Sequence, residues 1–225
     1  MKMEIEKPIF IVGAGRSGTT IFYNLLSTHP EVCWFSNYTD RFLYCKTLPL
    51  LHRVLDLPYF GKVAKKNIMR KSGLKFNIRP TEASRIYHEY CRFKHNVKTT
   101  EKDFHPEIED KFKETIRRHL ILTGKKRFLS KQTANNQRIR LINEMFKDAY
   151  FIHMIRDGRA VSNSLLNVKW WNDFDIWWLG KKAPEWVIEG REAIELCGLN
   201  WKRNVEEIIK NKVLFEDRYF ESCIE

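Results

Sequence analysis

Apolar residues along this chain keep two different rhythms. Short unbroken runs, "PIFIVG" at 8 to 13, "RFLSK" at 127 to 131, "AYFIHMIR" at 149 to 156 and "RYFESCI" at 218 to 224, read as buried strands. Between them, apolar residues recur three and four positions apart, as on the buried face of a helix. The first run leads directly into a helix over 18 to 28, which stops at His29-Pro30 because proline disfavours helical backbone in the residue before it. Further helices are expected near 135 to 147, from Gly158 to about Leu166, and as one long amphipathic helix over 185 to 210. Strands alternating with helices predict an α/β fold: a doubly wound parallel sheet flanked by helices, entered through a strand-loop-helix unit like that of a P-loop. The stretch from about 40 to 122 is mainly helical and polar, broken at Pro49, Pro58, Gly61, Gly73, Pro80 and Pro106, and is expected to be a helical elaboration over the sheet.

Composition refines this picture in four places. A chain of 225 residues, 43% of them hydrophobic, can bury one sizeable core, so residues 1 to 225 are read as a single domain. No run approaches the roughly 18 to 20 apolar residues that cross a bilayer, and "MKMEIEKPIFIVG" passes from charges into a core strand without a cleavable secretory segment, so a soluble, cytoplasmic chain is expected. The five cysteines are scattered and never form a C-x-x-C pair, which fits reduced packing residues better than a disulfide framework or a zinc site. The formal charge of +12 is local: residues 41 to 80 hold ten Lys/Arg against the single acid Asp56. Within them, residues 58 to 75 alternate apolar and basic positions, as either a solvated helix face or a surface for anionic lipid or an acidic substrate. No zinc-finger, RNP-like or basic-zipper pattern accompanies the charge, so nucleic acid is not the expected partner.

The first glycine-rich turn, "GAGRSGTT" at 13 to 20, has the G-x-x-x-x-G spacing of a phosphate loop, but Thr19 and Thr20 stand where lysine and a hydroxyl residue would follow. Gly13, Gly15 and Gly18 allow the backbone to approach an anion. The amide groups opening the next helix point at it with the positive end of the helix dipole. Arg16, Ser17, Thr19 and Thr20 add charge and donors. Without the lysine that reaches the β- and γ-phosphates, a compact phosphate or sulfate ester fits better than a triphosphate.

"FIHMIRDGRAVSNSLLNV" repeats the layout: a strand ends in Arg156, a turn passes through Asp157 and Gly158, and a helix carries Ser164 eight residues after Arg156. A guanidinium and a hydroxyl above the strand ends suit a second phosphate. Two such sites on one sheet suggest a nucleotide phosphorylated at both ends of its ribose.

On these two motifs the chain resembles the PAPS-dependent sulfotransferases, most closely those acting on carbohydrates, lipids or tyrosine; the likeness covers roughly residues 8 to 35 and 127 to 170, with weaker echoes in "NWKRNVEEI" and "EDRYFE". The resemblance implies that Gly15, Arg16, Ser17, Gly18, Thr19 and Thr20 hold the 5′-phosphosulfate of 3′-phosphoadenosine 5′-phosphosulfate (PAPS), that Arg156 and Ser164 hold its 3′-phosphate, and that no metal takes part. Sulfonyl transfer to a hydroxyl builds negative charge on the oxygen leaving sulfur, and cations must meet it. Arg16 is one. Lys131 in "LSKQTANNQRI" resembles the family's catalytic lysine, with Asn135 and Arg138 matching later positions and Gln132-Thr133-Ala134 departing from the usual T-P-x. Many members carry an acid or histidine near the second strand, but Ser36 and Asn37 stand there; Asp40 is the nearest downstream carboxylate and is taken as the candidate base, while His29 is expected to serve the helix end and His105 to lie in a loop. Trp170, Trp171, Trp177, Trp178 and Trp186 are either core packing or a platform for a sugar or aryl acceptor.

Two other readings remain open: a P-loop nucleotide-dependent kinase, and an inactive anion- or membrane-binding module on the same fold. Compared with related chains, which run on into a Y-E-D-L-like segment, this one is expected to end early.

Overall fold

The computed structural model describes residues 3–70, 77–92, 97–103 and 105–224. Five strands, β1 (Ile9–Val12), β2 (Val32–Cys33), β3 (Arg127–Lys131), β4 (Tyr150–Arg156) and β5 (Tyr219–Ile224), form one parallel sheet in the order β2-β3-β1-β4-β5. The chain goes to one side of β1 for β2 and β3 and returns to the other for β4 and β5. The carboxyl ends of β1, β3 and β4 therefore lie side by side at the point where such sheets bind ligands.

Alternation along the strands divides the core. Phe10 and Val12 point to one face, where they meet Phe128, Phe151, buried apolar residues of α4 (Ser84–Cys91), α5 (Pro106–Thr123) and α6 (Ile139–Met145), and Ile208 of α9 (Ala193–Asn211). Ile11, Leu129 and Met154 point to the other, against Tyr23 of α1 (Thr19–Leu26), Leu55 of the 3₁₀ turns over Leu48–Asp56, and Ile68 of α3 (Pro58–Arg70). A short α2 (Asn37–Arg41) follows β2. A third cluster, with Leu165 of α7 (Gly158–Leu166), Trp171, Trp186 of α8 (Ala183–Ile188) and Leu196, lies beside the sheet.

The segment from 40 to 122 is more than an elaboration: Phe112, Ile116 and Leu120 of α5 are buried against the sheet and supply one wall of its core. Of the basic stretch expected over 58 to 75, α3 covers 58 to 70, and residues 71 to 76 lie outside the described residues. The helix expected over 185 to 210 is two helices, α8 and α9, parted where Gly190 takes a φ of 80° that continues no helix. The helix expected near 135 to 147 is a 3₁₀ turn over Thr133–Gln137 followed by α6. The five cysteines are free thiols. Among the described residues no helix is long and apolar enough to cross a membrane.

Candidate active site

The turn after β1 is built to leave its helix end open. Gly13 has a φ of 152°, and a Cβ there would stand 2.6 Å from the Met154 carbonyl oxygen, so the turn can pass β4 only without a side chain. Asn136 holds this glycine from both sides: its Oδ1 accepts the Gly13 amide at 2.9 Å and its Nδ2 donates to the Gly13 carbonyl at 2.8 Å. Gly18 caps α1 in the left-handed region with no side-chain hydrogen bond to the first-turn amides; the Ile21 amide turns back to the Gly18 carbonyl at 3.0 Å, and those of Thr19 and Thr20 are left for an anion. The Ser17 hydroxyl is buried and without a hydrogen-bond partner among the described residues. A donor-rich cradle with an orphaned hydroxyl fits the phosphosulfate end of PAPS.

Arg16 sits in the left-handed region at φ 73°, a conformation that costs a non-glycine residue roughly 1 to 3 kcal/mol. Contacts from the second turn accompany it. Arg16 Nε donates to Ser164 Oγ at 2.9 Å, and Arg156 Nη1 donates to the Arg16 carbonyl at 3.3 Å. Arg16, Arg156 and Ser164, separated by up to 148 residues, thus form one cluster over the ends of β1 and β4. Trp201 of α9 donates its indole N–H to the Arg156 carbonyl at 3.1 Å, which fixes the strand end that carries the guanidinium.

Lys131, the last residue of β3, is almost fully buried and donates from Nζ to Thr20 Oγ1 at 3.2 Å. The same ammonium pairs with Glu82. Sequence reasoning overlooked Glu82, because "RPTEAS" carries no motif. Its delivery has a structural cause: the Asn37 amide donates to the Arg79 carbonyl at 3.0 Å, Asn37 Oδ1 accepts the Arg79 amide at 2.9 Å, and Ser36 bridges Pro80. The position after β2 that lacks an acid is the one that tethers the segment bringing Glu82.

Asp40 lies elsewhere. Its Oδ1 accepts the amides of Arg85 and Ile86 at 3.0 and 3.2 Å, in the first turn of α4, and burial pushes its pKa up from the ordinary carboxylate value. It serves the α4 terminus, whereas the carboxylate beside Lys131 and Thr20 is Glu82.

Two cavities border the glycine-rich turn and Lys131. One, of about 270 Å³, is lined by Thr20, Asn24, Asn67, Arg79, Glu82 and Lys131. The other is narrower, about 70 Å³, with Gly15, Thr133, Trp170, Phe174 and Trp177 in its wall. Of the tryptophans, Trp171 and Trp186 are core residues, while Trp170 stacks on Phe174 at 5.5 Å and reaches within 3.9 Å of where a Gly15 Cβ would stand.

A parallel sheet ordered 2-3-1-4-5 with a glycine-rich turn after its central strand has the layout of a P-loop-like α/β fold. The sulfotransferase family model matches residues 8–189, well over half of the chain, which belongs to that family. Among solved structures, the chain is similar to sulfotransferase STF9 from Mycobacterium avium, with 15% identity, a TM-score of 0.55 and coverage of 98% of this chain and 59% of that one. Sulfotransferase STF1 from Mycobacterium tuberculosis H37Rv matches with 14% identity and a TM-score of 0.55, over 98% of this chain and 62% of that one. A sulfotransferase domain from the curacin biosynthetic pathway matches with 10% identity and a TM-score of 0.52, over 98% and 68%. The chain thus spans less than two thirds of the length of the two mycobacterial structures. At these identities the likeness establishes the shared fold. No curated protein sequence matches the chain.

Proposed function

We propose that the protein transfers a sulfonyl group from PAPS to a hydroxyl of a polyhydroxylated, carbohydrate-like acceptor. The observation that carries this reading is the meeting of Lys131 with Thr20 Oγ1, at 3.2 Å, and with Glu82, at the edge of a polar cavity lined by amide side chains and Arg79. In this reading the loop amides of residues 15, 16 and 18 to 20, with the Ser17 hydroxyl, hold the phosphosulfate, and Arg156 and Ser164 hold the 3′-phosphate. The acceptor oxygen forms its bond to sulfur as the bond from sulfur to the bridging phosphate oxygen breaks. Glu82 takes the acceptor proton, and Lys131 and Arg16 meet the charge that grows on the leaving oxygen. Five free thiols suit a reducing compartment and support a cytoplasmic location.

A second acceptor reading rests on Trp170, whose ring lies against Gly15: an aryl alcohol would stack there instead. Labelled PAPS offered with methyl glycosides and with simple phenols separates the two, and transfer to glycosides is expected. Glu82→Gln is expected to lower kcat on the order of a hundredfold while leaving affinity for 3′-phosphoadenosine 5′-phosphate (PAP) unchanged. PAP should bind at least about tenfold more tightly than adenosine 5′-phosphate, since charge-assisted hydrogen bonds to the 3′-phosphate contribute about 1.5 to 3 kcal/mol. Equal affinities in calorimetry would sink the Arg156 and Ser164 assignment; protection against heat by Mg-ATP but not PAP would point to a kinase; PAP binding without transfer to any acceptor would point to an inactive module.

A further inference from the structure

Helix α3 is amphipathic in an unusual sense, because its solvent face is itself part apolar. Gly61 and Ile68 are buried, and the fit is close: a Cβ on Gly61 would stand 2.3 Å from the Leu55 carbonyl oxygen. Opposite them, at spacings of three and four, stand Tyr59, Lys62, Val63 and Lys66. Tyr59 is 75% exposed and its neighbour Phe60 62%, while the adjoining turns add Leu50, Leu51, Val54 and Leu57 to the exposed apolar residues. The charge on this face is uncompensated. Asp56, the only acid between 41 and 80, is paired with Lys125, and among the described residues no ion pair includes Lys62, Lys65 or Lys66.

We propose that the exposed face of α3, with the Leu48–Leu57 turns, docks on an anionic lipid bilayer. Aromatic rings and lysines alternating on one helix face meet the two requirements of such a surface at once. The rings enter the boundary between headgroups and acyl chains, and the ammonium groups sit among the phosphates. Tyr59, Phe60 and Val63 standing together in water mark an interaction surface, and the lysines between them match an anionic one. Asn67 and Ile68 of the same helix line the polar cavity beside Lys131. A docked α3 thus serves as both anchor and cavity wall, and the headgroup layer lies about one helix diameter, roughly 10 to 12 Å, from that cavity.

The test is flotation of the full chain with vesicles of phosphatidylcholine alone or with phosphatidylserine added, at rising salt. Binding to the anionic vesicles only is expected, falling steeply with salt and by at least about tenfold in the double variant Lys62→Glu/Lys66→Glu. Tyr59→Ser/Phe60→Ser should weaken it as well. Unchanged binding of the charge-reversed variant overturns the proposal, as does absence of wild-type binding to the anionic vesicles. So does concentration-dependent self-association abolished by Tyr59→Ser/Phe60→Ser, which would mean that a second copy covers the face. A melting shift with PAP equal to that of the wild type shows that each variant is folded, and it reports on the nucleotide site separately from the membrane face.

Discussion

The turns after β1 and β4 look alike in the sequence, and the structure uses them in opposite ways. After β1, Gly18 caps α1 with backbone alone and leaves the amides of Thr19 and Thr20 open. After β4, the Asp157 carboxylate accepts the amides of Arg159 and Ala160, so the α7 terminus already holds an anion of its own. Its bonds from the Arg159 side chain, and then from the Arg159 amide, hold that carboxyl well below the usual range. The first turn can bind an anion through the helix end, the second only through the side chains of Arg156 and Ser164. Similar strand-turn-helix layouts therefore do not imply similar recognition, and the cap residue decides which kind is present.

The comparison breaks most sharply at Gly13. Gly13→Ala places a methyl group against the Met154 carbonyl and strains a φ of 152°, so the open turn must move. Strain of roughly 1 to 3 kcal/mol predicts a loss of PAP affinity of about fivefold to somewhat over a hundredfold. Calorimetry on folded variant would measure it, and unchanged affinity would mean that the loop geometry is not what holds the nucleotide.

Arg156→Ala probes the second turn, where only side chains are available. PAP affinity should fall about tenfold, and affinity for adenosine 5′-phosphate should barely change, so that the ratio between the two ligands collapses. If both ligands weaken equally, Arg156 acts through the carbonyl of Arg16, which its Nη1 holds at 3.3 Å, and not through a 3′-phosphate.

The strands leading to the two turns differ as well. Val12 of β1 is paired in register with His153 of β4, a buried imidazole whose Nδ1 lies 2.7 Å from the Tyr219 hydroxyl. Burial lowers the pKa of His153 to about 4, as it does for His52 and His119. A histidine whose folded pKa lies below its unfolded value near 6.5 contributes stability that is present above that value and is lost as pH falls toward 4. Tm should therefore drop between pH 7 and pH 5, by roughly 5 °C or more. His153→Gln, which cannot charge, should recover part of the drop; an identical pH profile for the variant would exclude His153 as a source.

Sequence and structure agree where local pattern decides and part where long-range contacts do. The strands at 127 to 131 and 149 to 156 were legible because apolar runs mark strands covered on both faces. The loop at 13 to 20 was legible because an open helix end needs glycine at fixed places. β2 escaped notice because Val32–Cys33 is too short to show any period. Glu82 escaped because its position depends on Asn37 gripping Arg79, a pairing across 42 residues that leaves no trace in either segment alone. Asp40 is the next carboxylate after β2, yet contacts across 45 and 46 residues place it at the α4 terminus. The role of Asn136 was equally hidden: its match is to Gly13, 123 residues away.

The smallest expected effect belongs to Asp157, and it bears directly on the difference between the turns. Asp157→Asn keeps a side-chain oxygen that can accept from the Arg159 and Ala160 amides, so the cap of α7 should persist and Tm should change little. What disappears is a negative charge one residue from Arg156, together with the ion pair to Arg159. Both changes make this turn more positive where a 3′-phosphate is proposed to sit. Affinity for PAP should rise by about twofold at low salt, and the gain should vanish as salt screens these exposed groups. Adenosine 5′-phosphate, which leaves this turn empty, should show no gain at any salt concentration. An equal gain for both ligands would mean that the charge acts on the whole cleft, and that the second turn makes no separate contact with the nucleotide.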